Sequence, residues 1–146
     1  MDLYSGLSAE ELMLAVEDMV RFVRRGTTAG GLSRASSSLL NRLSSGGPQR
    51  LTELARAENV SQPNMTQVVS RMEKAGLVRR VPDHADGRGV LVEATGEGHR
   101  MAEQRRNERA QALQQLLETL SAAELQAVQT ALPALARAVR DREADT

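Results

Sequence analysis

Residues 51–95 of this chain read LTELARAENVSQPNMTQVVSRMEKAGLVRRVPDHADGRGVLVEAT, and this stretch decides the fold. It predicts a short helix that starts near Thr52 and ends before a three-residue turn, Asn59-Val60-Ser61. Asn59 tolerates the left-handed backbone that a tight turn often needs. Ser61 is a good N-cap for a longer helix, and Pro63 fits its first turn, where a missing amide costs little. The stretch therefore opens with a helix-turn-helix.

A charged hairpin follows the longer helix. The sequence predicts strands from Leu77 to Val81 and from Gly89 to Ala94, with Asp86-Gly87 as the turn signal between them. Two helices and a hairpin in this order describe a winged helix-turn-helix, a module whose second helix enters the major groove of DNA.

The sequence on either side of this module predicts long helices. Ser8 and Glu11 form a capping box for a first helix that ends near Gly26, and Ser33 caps a second. Thr95 caps a fifth helix, and a second capping box, Ser121 to Glu124, begins the sixth. We expect one domain over residues 1–146, mainly α with a small β-hairpin wing. Its DNA-binding lobe would span residues 33–95, and its helical dimerisation region would span residues 1–26 and 96–142.

Apolar residues of the terminal helices have no obvious partner inside one small domain. The sixth helix spaces them at alternating three- and four-residue steps, as in a short coiled-coil seam. We therefore predict a dimer interface at Leu3, Leu7, Leu12, Leu113, Leu117, Leu120, Leu125, Val128, Leu132 and Leu135. Pro133 lies inside this seam and has no amide to donate to the carbonyl of Gln129, so we predict a bend there.

The composition limits the functions that the chain can have. It contains no Cys, which excludes disulfides, thiolate metal sites and thiol redox sensing. Tyr4 and Phe22 are its only aromatic residues, too few for the stacking platforms that hold single strands. No apolar run is long enough to span a bilayer, and the N-terminus lacks the plan of a signal peptide, so we expect a cytoplasmic protein. The formal net charge of zero speaks mildly against nucleic-acid binding, although it can hide local polarity.

The longer helix has one apolar and one polar side. Met65, Val68, Val69 and Met72 share a face that we expect to pack on the core. Asn and Gln side chains can bond bidentately to adenine, Arg can bond to guanine, and Thr can touch a thymine methyl. The candidate DNA-binding residues of this segment are Ser61, Gln62, Pro63, Asn64, Thr66, Gln67, Ser70, Arg71 and Lys74. Taken alone, this surface is equally typical of an ordinary solvated helix face.

The hairpin strengthens the DNA-binding interpretation. It places Arg88 beside a glycine at an exposed tip, and a narrow minor groove attracts such an arginine. Asp86 can hold Arg88 by a charge-assisted bond, and His84 can donate to a phosphate. With Arg79 on the first strand, these residues complete the candidate DNA site. Alone, the tip would be a surface turn with an ion pair worth under about 1 kcal/mol.

The chain resembles the MarR family, the multiple-antibiotic-resistance-type regulators, over nearly its whole length. The resemblance rests on Leu51 to Ala55, Ser61 to Pro63, Glu73 to Val78, Arg80, Asp86 to Arg88 and Leu91 to Thr95. Two departures are small: Ser36 stands where the family usually has Gln, and Ala94-Thr95 replaces its Leu-Thr pair.

The resemblance implies an obligate homodimer that binds a pseudopalindromic double-stranded DNA operator, usually as a repressor. It also implies release by a small anionic or phenolic ligand, bound between the DNA-binding lobe and the dimer helices. The residues that we assign to this pocket are Phe22, Arg25, Thr27, Ser36 and Leu40. Arg24 and Arg25 could face an anion there, but the simpler interpretation is that both favour a helix C-terminus.

Other functions have little support in the sequence. His84 and His99 are isolated histidines that cannot form the clustered ligands of a zinc sensor, so we predict no metal and no cofactor. No catalytic triad or phosphate-cradling glycine pattern is present, so we predict no catalytic residues. The alternative that stays open is a winged helix used only for protein-protein contact, which would more often show an apolar patch in place of the polar row.

Overall fold

The structure, a computed structural model, describes residues 6–26, 31–87 and 89–145. Its elements follow in the order α1 (Ala9–Gly26), α2 (Arg34–Gly46), β1 (Gln49–Arg50), α3 (Leu51–Ala57), α4 (Gln62–Lys74), β2 (Val78–Pro82), β3 (Val90–Ala94), α5 (Gly96–Leu117) and α6 (Ala122–Ala144). The helices and the hairpin confirm a mainly α winged helix-turn-helix. Leu3, Thr27 and Arg88, which we assigned to sites, lie outside the described residues.

The predicted helix caps are confirmed. Ser33 and Ser61 each accept a hydrogen bond from the backbone amide three residues later, which satisfies a free donor at the start of α2 and α4. Thr95 Oγ1 accepts from the amide of Gly98 at 3.1 Å and so caps α5. Reciprocal capping boxes begin α1 at Ser8 and α6 at Ser121. Local sequence signals therefore place the helix starts correctly.

Three antiparallel strands form a sheet in the order β1-β3-β2. β2 and β3 each begin one residue later than predicted. Leu77 belongs to the exit turn of α4, because its amide donates to the carbonyl of Met72 and Gly76 adopts a φ of 77°. Gly89 stays in the wing turn, where its amide donates to the carbonyl of Asp86. β1, which pairs with β3 through Gln49 and Arg50, was not predicted.

The core lies between α2, α3, α4 and the sheet. Its largest side chains with almost no exposed surface are Leu39, Leu40, Leu43, Leu54, Met65, Val69, Met72, Val78 and Val92. The predicted inner face of α4 is confirmed, since Val68 is buried as well. This packing fixes the opposite face of α4 toward solvent.

Gly98 lets α5 approach the exit of α4 closely. A Cβ atom at this position would lie 2.1 Å from the carbonyl oxygen of Leu77. The same carbonyl accepts from the amide of Thr95 at 3.0 Å, and Thr95 Oγ1 donates to the carbonyl of Gly76 at 2.6 Å. The start of α5 is thus locked onto the turn that follows α4.

Residues 1–109 and 110–146 form two compact units. In the second unit, α6 is assigned as one uninterrupted helix with Pro133 inside it. Leu125 and Val128 are half-buried, whereas Leu132, Leu135 and Val139 are exposed. The bend at Pro133 stays a prediction. In the part of the chain that the structure describes, no helix has the length and apolarity needed to cross a membrane.

Candidate nucleic-acid interface

The outer face of α4 presents the polar side chains that the sequence assigned to DNA. Its exposed members are Ser61, Gln62, Pro63, Asn64, Thr66, Gln67, Arg71 and Lys74, while Ser70 is half-buried. None of the exposed residues in this stretch is a large apolar one. The face therefore offers hydrogen-bonding groups and two cations, and no apolar patch.

Some groups on this face already have partners. Thr66 Oγ1 donates to the carbonyl of Gln62 at 2.9 Å, so the hydroxyl proton is used within the helix. The Thr66 oxygen can still accept a bond, and its methyl group can still contact a thymine. Hence Thr66 is suited to accepting and apolar contacts rather than to donating.

Arg80 joins α4 to the wing, a role that sequence reasoning missed. Its guanidinium donates to Glu73 Oε1 at 2.6 Å and to Ser70 Oγ at 3.2 Å. The predicted DNA-binding residue Ser70 is thus engaged by Arg80, which lies on β2. The bond holds the first wing strand against the C-terminal half of α4.

Arg79, the predicted DNA-binding residue on β2, pairs with the residue opposite it on β3. Its Nε lies 2.5 Å from Glu93 Oε1, and the two residues are register partners in the ladder. Because Arg79 is largely exposed, the pair is worth no more than about 1 kcal/mol. A DNA phosphate could therefore replace Glu93 at little cost.

The base of the wing contains a buried carboxylate. Asp83 is 7% exposed, and its Oδ2 accepts bonds from Nε and Nη2 of Arg50 at 3.0 and 2.9 Å. These bonds, with a bond from the Ala85 amide, hold the pKa of Asp83 below its usual value despite the opposing effect of burial. His84 and Asp86 are exposed at the tip, and Asp86 lies 3.9 Å from Arg50. No local signal in the sequence indicates the pairing of Arg50 with Asp83.

A second carboxylate fixes the turn of the helix-turn-helix. Glu58, at the end of α3, accepts from Arg42 Nε at 2.9 Å and from Ser38 Oγ at 2.7 Å, and both donors lie on α2. Asn59 follows with a φ of 53°, which confirms the left-handed turn position. The end of α3, which leads into this turn, is thereby tied to α2 by side chains.

A cleft of about 690 Å³ opens beside α4. Arginines from four helices line it, namely Arg24, Arg34, Arg71 and Arg109. Asn64 and Gln67, two predicted base-reading residues, also line it. Glu58 also lines it, so four arginines face one carboxylate in this cationic cleft next to the candidate recognition helix.

Among the described residues that we assigned to a ligand pocket, namely Phe22, Arg25, Ser36 and Leu40, none lines this cleft. Leu40 belongs to the core, and Ser36 is buried with its hydroxyl accepting from Ser33 at 3.0 Å. Phe22 is half-buried and Arg25 exposed on α1. Their role in binding a ligand stays a prediction.

The fold and the exposed helix define the class as a winged helix-turn-helix DNA-binding protein, and comparison with known proteins identifies the family. The sequence model of the MarR family matches residues 32–90. An uncharacterized HTH-type transcriptional regulator of Mycobacterium bovis is 33% identical over 116 residues, which cover 80% of this chain and 81% of that protein. A further uncharacterized HTH-type transcriptional regulator, from Mycobacterium leprae, is 33% identical over 113 residues, 77% of this chain and 79% of the relative.

Solved structures share the same fold. A transcriptional regulator of Thermotoga maritima superposes with a TM-score of 0.76 at 22% identity, over 94% of this chain and 99% of that one. Wild-type MarR of E. coli in its apo form superposes with a TM-score of 0.74 at 24% identity, over 90% of this chain and 98% of that one. The chain belongs to the MarR family of transcriptional regulators. Members of this family bind DNA and are not enzymes, as the sequence predicted.

Proposed function

We propose that this chain acts as a homodimer that binds a pseudopalindromic operator and represses transcription. In each subunit α4 enters the major groove and the wing contacts the adjacent minor groove. Two-fold symmetry then places the two copies of α4 about one DNA turn apart, roughly 34 Å. As a regulator of transcription, the dimer would act in the cytoplasm.

The division of α4 into two faces is the observation that carries the proposal. Met65, Val68, Val69 and Met72 are all buried, so the helix cannot rotate without exposing them. This packing supports the assignment of the outer-face side chains to base contacts. Gln62, Asn64 and Gln67 are the amides on the outer face, and the first turns of a recognition helix are where base contacts are made.

The same face weakens the alternative of a protein-binding module. Such a surface needs an apolar anchor in a desolvated centre. The exposed outer face of α4 carries amides, hydroxyls and two cations instead. These groups match phosphates and base edges better than an apolar partner surface.

Exposed apolar side chains support the dimer. On α1, the exposed large apolar residues are Leu12, Met13, Leu14, Val16, Met19, Val20 and Val23. So many exposed large apolar side chains on one helix are unusual on a monomer and are typical of an interface. The second unit adds exposed Leu132 and Leu135 on α6. A second copy of the chain, aligned on a two-fold axis, would cover both sets.

Operator binding can be tested with two substitutions that differ in kind. Gln67→Ala should relax sequence preference and cost about 1 to 3 kcal/mol if the amide binds a base bidentately. Arg88→Ala should weaken binding to all operators with less change in preference. Footprinting and titration on the DNA upstream of the gene measure both effects. Gln104→Ala, which changes an exposed amide on α5, is the matched control.

The salt dependence of binding tests the proposal independently. Operator affinity should fall steeply as salt rises, because phosphate contacts release counterions. Affinity that does not respond to salt, or unchanged affinity in Arg88→Ala, would contradict the DNA-binding arrangement. For assembly, sedimentation should give a dimer at micromolar concentration, and a stable folded monomer there would contradict the homodimer.

The cationic cleft favours a second element of the proposal, release of the operator by a small anion. Its volume of about 690 Å³ is that of a small-molecule site. An anion held by Arg34 and Arg109 would also contact Asn64 and Gln67 on α4, and would compete with DNA for them. This arrangement links ligand binding directly to the base-reading residues.

Sodium salicylate, a phenolic anion, and sodium benzoate are suitable probes of this cleft. Each should lower operator affinity in the wild-type protein. Arg34→Gln should remove this response, whereas Arg100→Gln, an exposed arginine outside the cleft, should keep it. An equal response in all three proteins would show that the anions act by general salt effects.

A further inference from the structure

We propose that Arg50 is a positioning residue for the wing: its guanidinium holds the buried carboxylate of Asp83, and this pair sets where the wing tip meets DNA. The inference rests on the proposed operator binding, and the tip concerned is residues 84–87. Arg50 itself acts through Asp83 and touches neither base nor phosphate in this scheme.

The identity of residue 50 breaks a local rule. Arg50 is the N-cap of α3, a position where Ser, Thr, Asp or Asn normally accepts a hydrogen bond from the helix. Arg has no acceptor, and no side-chain capping bond is present at this helix start. The contact with Asp83 explains why a residue that cannot cap α3 occupies its N-cap position. The side chain reaches a residue 33 positions further along the chain.

Asp83 joins the three parts of the wing base. Its Oδ2 receives both bonds from Arg50, while its Oδ1 accepts from the amide of Ala85 at 3.1 Å, so the carboxylate also shapes the first turn of the tip. Its backbone amide donates to the carbonyl of Gly89 at 2.9 Å and closes the hairpin. One side chain thus connects β1, the end of β2 and the turn.

The space around Asp83 allows little rearrangement. A Cβ atom on Gly89 would lie 3.2 Å from Asp83 Cβ and 3.3 Å from Oδ2, so the returning strand packs directly on this side chain. Arg50 is also the register partner of Leu91 on β3. The backbone of Arg50 is therefore held in the sheet, while its guanidinium is held at the wing base by Asp83.

Asp83 could affect DNA binding through its charge alone or by positioning the wing. Replacing it with a neutral residue changes operator affinity in opposite directions in the two cases. If Asp83 influenced DNA only through its negative charge, Asp83→Asn would bind the operator more tightly, because a repulsive charge is removed. If the pair positions the wing, Asp83→Asn and Arg50→Gln should both weaken binding. We expect a loss of at least about fivefold, the lower end of what one base contact is worth.

Footprinting of the minor groove and of the major groove shows which DNA contacts the substitution weakens. In Arg50→Gln, hydroxyl-radical protection of the flanking minor groove should be lost, while protection of guanine N7 in the major groove under α4 should persist. A general loss of stability would weaken both footprints together. Arg100→Gln, which removes an exposed arginine paired with Glu97, should leave both unchanged.

A measurement on the free protein keeps the inference testable without DNA. Amide hydrogen exchange at Ala85 and Gly89 should accelerate in Arg50→Gln, with the amides of α4 unchanged. Flank protection and exchange identical to wild type in both variants would overturn the positioning role, although operator binding would stand. Wild-type protein that leaves no footprint would instead overturn the proposed function, and the exchange experiment would still decide whether Arg50 holds the wing.

Discussion

Replacing Gly98 by alanine should strongly destabilise the DNA-binding lobe. The added Cβ would lie 2.1 Å from the carbonyl oxygen of Leu77, whereas real Cβ atoms essentially never approach a neighbour within 3.0 Å. The same atom would lie 3.2 Å from Leu40 Cδ1 in the core. Because the carbonyl of Leu77 belongs to the backbone, it cannot rotate away from the new methyl group as a flexible side chain would. The start of α5 must therefore move.

The cost can be estimated from the contacts that this movement disturbs. Overpacking a tight site typically costs about 1 to 3 kcal/mol, and occasionally more. Moving α5 also weakens the bond from the Thr95 amide to the Leu77 carbonyl, worth about 0.5 to 1.5 kcal/mol. The higher helix propensity of alanine offsets up to about 1 kcal/mol of this loss in the free energy of unfolding. At the midpoints of these ranges the net destabilisation is about 2 to 3 kcal/mol, a large share of the stability of a typical domain.

Gly96→Ala is the matched control in the same helix turn. A Cβ on Gly96 would meet only Arg100 Nη1, at 3.9 Å, so this variant should be as stable as wild type or slightly more stable. Urea denaturation at one fixed protein concentration compares the three proteins, because a dimer's stability depends on concentration. If Gly98→Ala unfolds at the same urea concentration as Gly96→Ala, the close approach is not rigid and the reasoning fails.

Three further predictions concern helix starts and the last helix. The bond from the Ser121 amide lowers the pKa of Glu124, so its contribution is complete above the ordinary pKa and is lost as pH falls through the lowered value. Glu124→Gln should therefore show a weaker fall in melting temperature below about pH 4.5 than wild type, and an equal fall would refute this. Ser61→Ala should cost about 1 kcal/mol by urea denaturation, because the Asn64 amide loses its acceptor. Pro133→Ala should change dimer geometry and weaken operator binding more than it changes folding; unchanged affinity would count against a functional role of the bend.

Local signals in the sequence account for most of the fold. Ser33, Ser61 and Ser121 act within three residues of themselves, so their capping bonds can be read directly from the chain. Asn59 and the exit turn at Gly76 depend on the backbone preferences of single residues. The inner face of α4 follows from helical periodicity. Each of these features is decided within about two helical turns.

Side-chain pairs distant in sequence could not be predicted. Arg50 contacts Asp83, and Glu58 contacts Arg42, across 33 and 16 residues. No spacing rule links such residues, because the fold alone brings them together. Sequence reasoning assigned no role to Asp83, whereas the structure buries it at the centre of the wing base. The two-residue strand β1 was missed for the same reason, since only its pairing with β3 defines it.

In the candidate DNA-binding site, too, local features could be predicted and contacts between elements could not. The outer face of α4 could be predicted because it is the complement of a periodic apolar face. The engagement of Ser70 by Arg80 and of Arg79 by Glu93 could not, because both cross between elements. These contacts change how two predicted DNA-binding residues are interpreted. Arg79 must exchange a partner to reach a phosphate, and Ser70 is held by a wing residue.

Violations of local preference can therefore point to contacts that periodicity does not show. An arginine at an N-cap and a glycine inside a helix are both unfavourable choices for their own segment. At Arg50 the compensation is a buried carboxylate at the wing base, and at Gly98 it is a backbone carbonyl at the end of α4. Both contacts lie where one element of the winged helix-turn-helix is fixed to the next. Residues that disfavour their own helix therefore mark candidate joints in this chain, and the fold then shows which partner each of them contacts.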